Sequence, residues 1–303
     1  MSLKNIINVN ILKDEFKNNK MKVLITGALG MLGQQLAKVY KDQDPILWDR
    51  EVIDITDKDK VLTQISKIKP DIVLNTAAYN DVDGAENNEA LAMEINGHAI
   101  GHLAKAVSTA GGILVHYSTD YVFKGDSVEG YKEDGQPDPQ SAYARSKYLG
   151  EQELVDNIQN YYLIRLSRLF GRPAKSKSGK KSFVEIILDL ANNQDEVNVI
   201  DEEVSSPTYS VDLALATKAI IDQKKSFGIY HISNNGSCTW FEFAKEIFSN
   251  YNIKVKLNPV PADFFSRPAL RPKYSVLLNN KTEPLRSWQY ALKDYMSVKN
   301  HEI

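Results

Sequence analysis

The sequence predicts an α/β protein with a doubly wound parallel sheet and a smaller carboxyl-terminal lobe. Short apolar runs alternate with amphipathic stretches from Met21 onward, and this alternation predicts a sheet covered by helices on both faces. Right-handed crossovers between parallel strands then favour the doubly wound topology. A chain of 303 residues, 43% of them hydrophobic, can also bury one large core and a second, smaller one.

The apolar runs predict five strands in the first part of the chain. In order they are KVLIT (22–26), PILW (45–48), DIVLNTA (71–77), GILVHYS (112–118) and YYLIRLS (161–167). The segments between them have the spacing of amphipathic helices: LGQQLAKVYKD, DKDKVLTQISKI and NEALAMEINGHAIGHLAKAVSTAG.

Composition excludes several classes of function. The 37 Lys and Arg residues balance 39 Asp and Glu residues, so the chain lacks the basic surface of a nucleic-acid partner. A single cysteine, Cys238, excludes an internal disulfide and a multi-cysteine zinc site. No run of about 18 apolar residues predicts a membrane span, and residues 1–20 lack a signal-peptide core. We therefore predict a cytoplasmic protein without a metal, either monomeric or homodimeric.

The first strand runs into a glycine-rich turn, G-x-x-G-x-x-G, at Gly27, Gly30 and Gly33. Glycines let backbone N–H groups approach a pyrophosphate, and a helix beginning at Met31 directs the positive end of its dipole there. This context predicts a Rossmann-like dinucleotide site. We divide the chain into an extension of unknown role (1–20), a dinucleotide-binding domain (21–167) and a mainly substrate-binding lobe (168–303), some segments of which return to the first core.

The end of the second strand gives mixed information about the cofactor. Asp49 favours the free ribose hydroxyl of NADH, whereas Arg50 can pair with the 2′-phosphate of NADPH, so both cofactors stay open. Asp54 and Ile55 could border the adenine, although a cap on the next helix is an adequate explanation of Asp54.

Tyr143 and Lys147 lie four residues apart on a predicted helix and therefore share one face. A nearby ammonium stabilises phenolate, so we expect Lys147 to lower the pKa of Tyr143 toward neutral pH. The strand ILVHYSTDYVF ends at the carboxyl edge of the sheet, where Thr119 could hold a substrate oxygen while Tyr143 protonates it. His116 and His231 lie in strands, and we interpret them as hydrogen-bonded core histidines.

These residues resemble the extended short-chain dehydrogenases/reductases and, among them, the dTDP-4-dehydrorhamnose reductases. The resemblance covers nearly the whole chain after Met21. It includes GALGMLGQQL, NTAAYNDVDGAE, INGHAIGHLAKA, HYSTDYVFKGD, YARSKYLGE, SPTYSVDLA and RPALRPKYSVL.

The resemblance implies NADPH- or NADH-dependent reduction of the C4 ketone of a nucleotide-linked 6-deoxyhexose, with catalysis by Tyr143, Lys147 and Thr119. The residues and the resemblance together predict cofactor contacts at Gly27, Gly30, Met31, Leu32, Asp49, Arg50, Asp54, Ile55, Ala77, Ala78, Tyr79, Tyr117, Tyr143 and Lys147. The resemblance implies substrate contacts at Thr119, Asp120 and Arg271, with Arg271 suited to a diphosphate through its planar fork of donors. We also predict a substrate contact at Arg168.

Two segments depart from the family pattern. LSRLFG has Arg168 where the family commonly has Trp, and EEVSSPT lacks the family's Gln and Gly. Two alternatives therefore stay open beside the dTDP-rhamnose reaction. One is a reductase or epimerase of another nucleotide sugar, and the other is a catalytically silent, NADP-binding regulatory subunit.

Overall fold

A six-stranded parallel sheet forms the centre of the protein. The computed structural model describes residues 20–176 and 179–300, so the predicted extension lies outside it apart from Lys20. Its strands are β1 (Val23–Thr26), β2 (Ile46–Trp48), β3 (Ile72–Asn75), β4 (Ile113–Thr119), β5 (Tyr161–Leu166) and β10 (Gly228–His231). The strand order is β10-β5-β4-β3-β1-β2, and every pairing is parallel. The predicted fold class is confirmed, and the order reverses between β1 and β3, where such sheets bind ligands.

Helices cover both faces of this sheet. They are α1 (Met31–Val39), α2 (Lys58–Ile68), α3 (Val82–Asn87), α4 (Glu89–Met93), α5 (Ala99–Ala110), α6 (Ala142–Asn157) and α8 (Ser210–Asp222). Within residues 20–176 and 179–300, no helix has both the length and the apolar character needed to cross a bilayer.

Alternate side chains of the strands pack into two separate cores, one on each face of the sheet. In β1, Val23 and Ile25 pack with α1 and α8, whereas Leu24 between them packs with α2, α5 and α6. All three side chains are buried. Strands covered on both faces read as continuous apolar runs, which explains why the sequence located them so clearly.

A third core lies in the carboxyl-terminal part of the chain. It contains several buried aromatic side chains, among them Phe170, Phe243, Trp288 and Tyr295. Its elements are β6 (Leu169–Phe170), α7 (Phe183–Asn193), β7 (Glu196–Ile200), β8 (Val204–Ser205), β9 (Thr208–Tyr209), β11 (Cys238–Thr239), α9 (Trp240–Tyr251), β12 (Lys256–Val260) and α10 (Trp288–Asn300). Strand β10 belongs to the main sheet, so the chain returns to that sheet before it completes this core.

The long helical segment between β3 and β4 is interrupted. Helix α4 continues through a π-helical turn, Glu94–His98, before α5 begins. Helix α6 packs closely here, because a Cβ atom on Gly150 would lie 2.1 Å from the Asn96 carbonyl oxygen. Such π turns occur frequently at functional sites.

Candidate active site

The glycine-rich turn has the backbone that an anion site needs. Gly27 has φ +65°, and a Cβ atom there would lie 2.7 Å from the Ala77 backbone nitrogen. Helix α1 begins at Met31, as the sequence predicts. Its N-cap residue, Gly30, offers no side chain, and its first turn has no acidic residue. The first N–H groups of α1 are therefore available to a phosphate.

We expect Gly33→Ala to destabilise the protein, although alanine normally favours a helix. A Cβ atom at Gly33 would lie 2.2 Å from the Gly27 carbonyl oxygen and 2.8 Å from the Ala28 Cα. Backbone cannot move aside as a side chain can, so the expected loss is about 1–3 kcal/mol. Gly30→Ala is the control, because its Cβ would meet Gly27 O at 3.0 Å. Urea unfolding of both variants tests this, and a Gly33→Ala protein as stable as Gly30→Ala would contradict it.

Asp49 ties the end of β2 to the glycine-rich turn. Its Oδ2 accepts from the Leu29 backbone N–H at 3.0 Å, and its Oδ1 accepts from the Arg50 N–H at 2.9 Å. The exposed Arg50 side chain lies 3.7 Å from Asp54 Oδ2. Asp49 and Arg50 thus lie beside the turn, where the sequence places the adenosine ribose.

The suggested capping role of Asp54 is wrong. Its Oδ1 accepts from the N–H and the hydroxyl of Thr56, which closes a local turn. Asp57 caps helix α2 instead, accepting from the Lys60 N–H at 3.1 Å. Ile55 is buried in the core under β1.

A buried asparagine that the sequence analysis missed holds the segment after β3. Asn96 Oδ1 accepts from the Tyr79 N–H at 2.8 Å, and its Nδ2 donates to the Tyr79 carbonyl at 3.0 Å. Its Nδ2 also donates to Ser146 Oγ at 2.9 Å, and that hydroxyl donates to the Tyr143 carbonyl. Asn96 therefore connects the predicted cofactor segment Ala77–Tyr79 to the helix that carries Tyr143. The sequence feature that could have indicated this role is a single Asn within an apolar helical pattern.

The structure brings three predicted residues together at the carboxyl end of β4. Thr119 Oγ1 donates to Asp120 Oδ1 at 3.1 Å, and the same hydroxyl is near enough to the Tyr143 phenol to oppose the rise in its pKa that burial causes. Asp120 Oδ2 accepts from Ser275 Oγ at 2.6 Å, so a carboxyl-terminal loop closes this corner. Burial raises the pKa of Asp120.

The expected effect of Lys147 on Tyr143 is wrong in this structure. Burial of the phenol and then the Asp120 charge raise the pKa of Tyr143 far above its usual value, although Thr119 opposes this shift. Desolvation disfavours phenolate more strongly than a neighbouring ammonium one helical turn away can favour it. Tyr143 is therefore a neutral phenol, which is the form that can donate a proton.

Lys147 lies under the sheet edge and is 3% exposed. Its Nζ donates to the Tyr117 carbonyl oxygen at 2.7 Å and lies 3.5 Å from His116 Nε2. Burial lowers the pKa of Lys147 to about 8. His116 is buried and hydrogen-bonded, as predicted, but its contact with Lys147 was not foreseen.

The side chain of Tyr117 does not take the place predicted for it. Its ring packs in the core of the opposite face, and its hydroxyl donates to Thr217 Oγ1 on α8 at 3.1 Å. Neighbours on a strand point to opposite faces, so His116 and Tyr117 cannot both face Lys147 with their side chains. Only the Tyr117 carbonyl reaches the candidate site.

Arg168 braces two carboxyl-terminal segments. Its guanidinium donates to the Cys238 carbonyl at 2.8 Å and the Glu203 carbonyl at 2.6 Å. The same group stacks on the Trp240 ring, 3.9 Å from its centroid, and the backbone adopts φ +44°. Its predicted contact with substrate stays a prediction.

Arg271 forms a two-pronged ion pair with Asp83 on α3. Its nitrogens lie 3.0 and 2.5 Å from the two carboxylate oxygens, and Asp83 also accepts from the Ala269 N–H. The Arg271 guanidinium holds the pKa of Asp83 below its usual range. To bind a diphosphate as predicted, Arg271 would have to release the Asp83 carboxylate and contact the phosphate instead.

Comparisons with known proteins place this site in a family. Residues 21–300 match the family described as RmlD substrate binding domain. A dTDP-4-dehydrorhamnose reductase of Streptomyces griseus is 34% identical, over 89% of this chain and 91% of the relative. A probable dTDP-4,6-dihydroxy-2-methyloxan-3-one 4-ketoreductase of Streptomyces antibioticus is 35% identical, over 90% and 94%. The crystal structure of a Bacillus anthracis dTDP-4-dehydrorhamnose reductase with NADP has 37% identity and TM-score 0.87, covering 92% of this chain and 99% of that one.

Proposed function

Because the chain belongs to the RmlD substrate binding domain family, we propose that it reduces the C4 ketone of dTDP-4-dehydro-L-rhamnose to dTDP-L-rhamnose, the last step of dTDP-rhamnose synthesis. The reductant is NADPH or NADH. The observation that carries the proposal is the position of Thr119 and Tyr143 at the carboxyl end of β4, with Lys147 one helical turn beyond Tyr143 and bonded to the Tyr117 carbonyl.

The residues present fit a nicotinamide dinucleotide. The uncapped start of α1 and the tight turn at Gly27 suit a pyrophosphate, and Asp49 and Arg50 lie beside that turn. When bound, the cofactor supplies the hydride for the carbonyl carbon. Gly30, Met31 and Leu32 would hold the phosphates, and Ala77, Ala78 and Tyr79 would line the adenosine path.

The chain's own residues supply the proton and the geometry. Thr119 orients the ketone oxygen, and the neutral Tyr143 phenol donates its proton to that oxygen as negative charge develops. The Lys147 ammonium offers a hydrogen bond to the cofactor ribose and a positive charge near the phenol. Asp120 meets the sugar from the floor of the site, braced by Ser275.

The test is cofactor oxidation by the purified protein. NADPH or NADH and dTDP-4-dehydro-L-rhamnose generated in situ are supplied, and loss of the reduced nicotinamide absorbance is followed. Oxidation that depends on the sugar establishes the reaction and ranks the two cofactors. A protein that binds NADPH without oxidising it would overturn the proposal and favour another nucleotide sugar first and the regulatory subunit second.

A second candidate is a reductase or epimerase of a different dTDP sugar. The Streptomyces antibioticus relative is named for another sugar ketone at similar identity, and Arg168 replaces the family's common Trp here. Comparing turnover of several dTDP-linked 4-ketosugars separates the candidates. Interconversion of sugars without net consumption of reductant would indicate an epimerase.

We expect Asp83 to compete with the substrate diphosphate for Arg271. Asp83→Asn keeps the side-chain shape but removes the charge, so dTDP should bind several-fold more tightly. Arg271→Met should weaken dTDP binding by about tenfold or more, since a two-pronged charged contact is lost. Calorimetric titration with dTDP measures both variants, and unchanged affinity in Arg271→Met would remove Arg271 from the site.

Within this proposal, residues 21–167 mainly bind the cofactor, and residues 168–303 mainly bind the sugar nucleotide. Arg168 and Arg271 would act from the second part. The single cysteine, a buried free thiol, supports a cytoplasmic location. Monomer and homodimer both stay compatible with this arrangement.

A further inference from the structure

A row of polar side chains crosses the sheet beneath the candidate site. Thr26, Asn75 and His116 are paired in register on β1, β3 and β4, so their side chains lie side by side on one face. Each is at most 1% exposed. The row one step down the strands, Leu24, Val73 and Leu114, is apolar and fully buried. Buried polar groups are costly, so this row calls for a functional explanation.

The row is one continuous hydrogen-bonded chain that ends at Lys147. Thr26 Oγ1 lies 2.5 Å from Asn75 Oδ1, and Asn75 Nδ2 lies 3.0 Å from His116 Nδ1. The other ring nitrogen of His116, Nε2, lies 3.5 Å from Lys147 Nζ. Thr26 directly precedes Gly27, so this row of hydrogen bonds connects the glycine-rich turn to Lys147.

The protonation of His116 follows from its partners. Burial and the nearby Lys147 hold the pKa of His116 well below its usual range, so the ring is neutral. A neutral imidazole has one donor and one acceptor nitrogen. An ammonium only donates, so a hydrogen bond between Lys147 and His116 requires Nε2 to accept and Nδ1 to carry the hydrogen. The structure places the Asn75 oxygen toward Thr26 and its nitrogen toward Nδ1, so this tautomer requires the amide to be turned by 180°, which exchanges two groups of nearly identical shape.

We propose that His116 and Asn75 are positioning residues that hold the Lys147 ammonium at the sheet edge, with Asn75 fixing the histidine tautomer. Among the described residues, the hydrogen-bond partners of Lys147 Nζ are the Tyr117 carbonyl at 2.7 Å and His116 Nε2 at 3.5 Å. With Nε2 as an acceptor, two of the three ammonium hydrogens are held, and the third is left for a ligand. The catalytic use of Lys147 rests on the proposed function, whereas its placement does not.

Apart from His116, the ionisable groups near Lys147 lie on α6, and one of them is paired with a residue of β5. On α6, Glu151 lies one turn beyond Lys147 and favours its protonated form, and Tyr143 lies one turn before it. Glu151 is itself paired with Arg165 of β5 at 2.6 Å. These groups are unchanged in His116 variants, so a shift in Lys147 titration would report on the histidine.

The test replaces His116 with two amide side chains of equal polarity and different length. In His116→Gln an amide atom can occupy the place of Nε2 and contact Lys147, whereas in His116→Asn it can reach only the place of Nδ1. Lysine labelled with ¹³C at Cε is titrated by NMR, and the signal absent in Lys147→Met identifies Lys147. We expect the midpoint near pH 8 to fall by about one unit in His116→Asn. It should stay near the wild-type value in His116→Gln.

Equal midpoints in wild type and His116→Asn would overturn the proposal. If His116→Asn does not fold, Asn75→Ala serves instead, with a smaller shift expected in the same direction because the tautomer is no longer fixed. In the reductase assay, the alkaline limb of kcat/KM should move with the midpoint. The NMR titration needs no substrate. An inactive wild-type enzyme would therefore refute the proposed reaction, and an unshifted titration would refute the positioning role.

Discussion

Replacing Tyr143 by Phe is expected to reduce turnover about 10²–10⁴-fold while NADPH affinity changes little. The substitution removes one oxygen, the proposed proton donor, and leaves the ring that packs edge-on against Tyr121 at 5.9 Å. Single-turnover reduction of the sugar, with cofactor binding measured by nicotinamide fluorescence, separates chemistry from binding. Tyr148→Phe on the same helix is the control, since its ring packs in a small core with Phe123. Equal loss in both variants would contradict a specific role for Tyr143.

The pH dependence should follow Lys147 rather than Tyr143. Burial raises the pKa of Tyr143, so the phenol keeps its proton over the working range. Burial lowers the pKa of Lys147 to about 8, so the ammonium is lost as pH rises through that value. We therefore expect kcat/KM to decline above about pH 8. A pH profile in wild type and Lys147→Arg checks this, because an arginine keeps its charge and should flatten the decline.

Replacing Glu151 by Ala is expected to cost about 3–5 kcal/mol of unfolding free energy. Glu151 and Arg165 form a two-pronged pair at 3.0 and 2.6 Å, with side chains 3% and 2% exposed. Removing the carboxylate leaves the Arg165 charge buried without its partner, over the Phe123 ring at 5.0 Å. Urea unfolding measures the loss.

The matched control is Glu89→Ala. It breaks the exposed pair with Arg145, whose atoms are 2.7 Å apart and whose side chains are 42% and 43% exposed, so at most about 1 kcal/mol should be lost. A double replacement, Glu151→Leu with Arg165→Met, should recover much of the loss by removing both charges. Similar destabilisation by Glu151→Ala and Glu89→Ala would show that the buried pair has no special cost.

Local sequence patterns were sufficient to predict the fold class and part of the candidate site. The strands of the main sheet are continuous apolar runs because both faces are buried, and the glycine spacing located the start of α1 at Met31. The order of Thr119 at the end of β4, followed by Tyr143 and Lys147 on α6, was also readable. These features depend on neighbours in sequence, and a sequence displays such neighbours directly.

Contacts between residues that are far apart in the sequence could not be predicted. The sequence did not indicate that Asp83 holds Arg271, that Asn96 joins the Tyr79 segment to α6, or that Ser275 braces Asp120. Each contact joins elements that meet only after the chain has folded. The residue types were visible, but nothing in their spacing identified the partner.

The sequence by itself determined the α/β class, the glycine-rich turn and the helical pairing of Tyr143 with Lys147. Only the tertiary structure decided the protonation of that pair, the direction of the Tyr117 side chain and the contact between Lys147 and His116. The reason is that backbone period and strand order arise from local sequence, whereas desolvation depends on everything packed around a group. Burial reversed the expected shift of the Tyr143 pKa, and burial is a property of the folded chain.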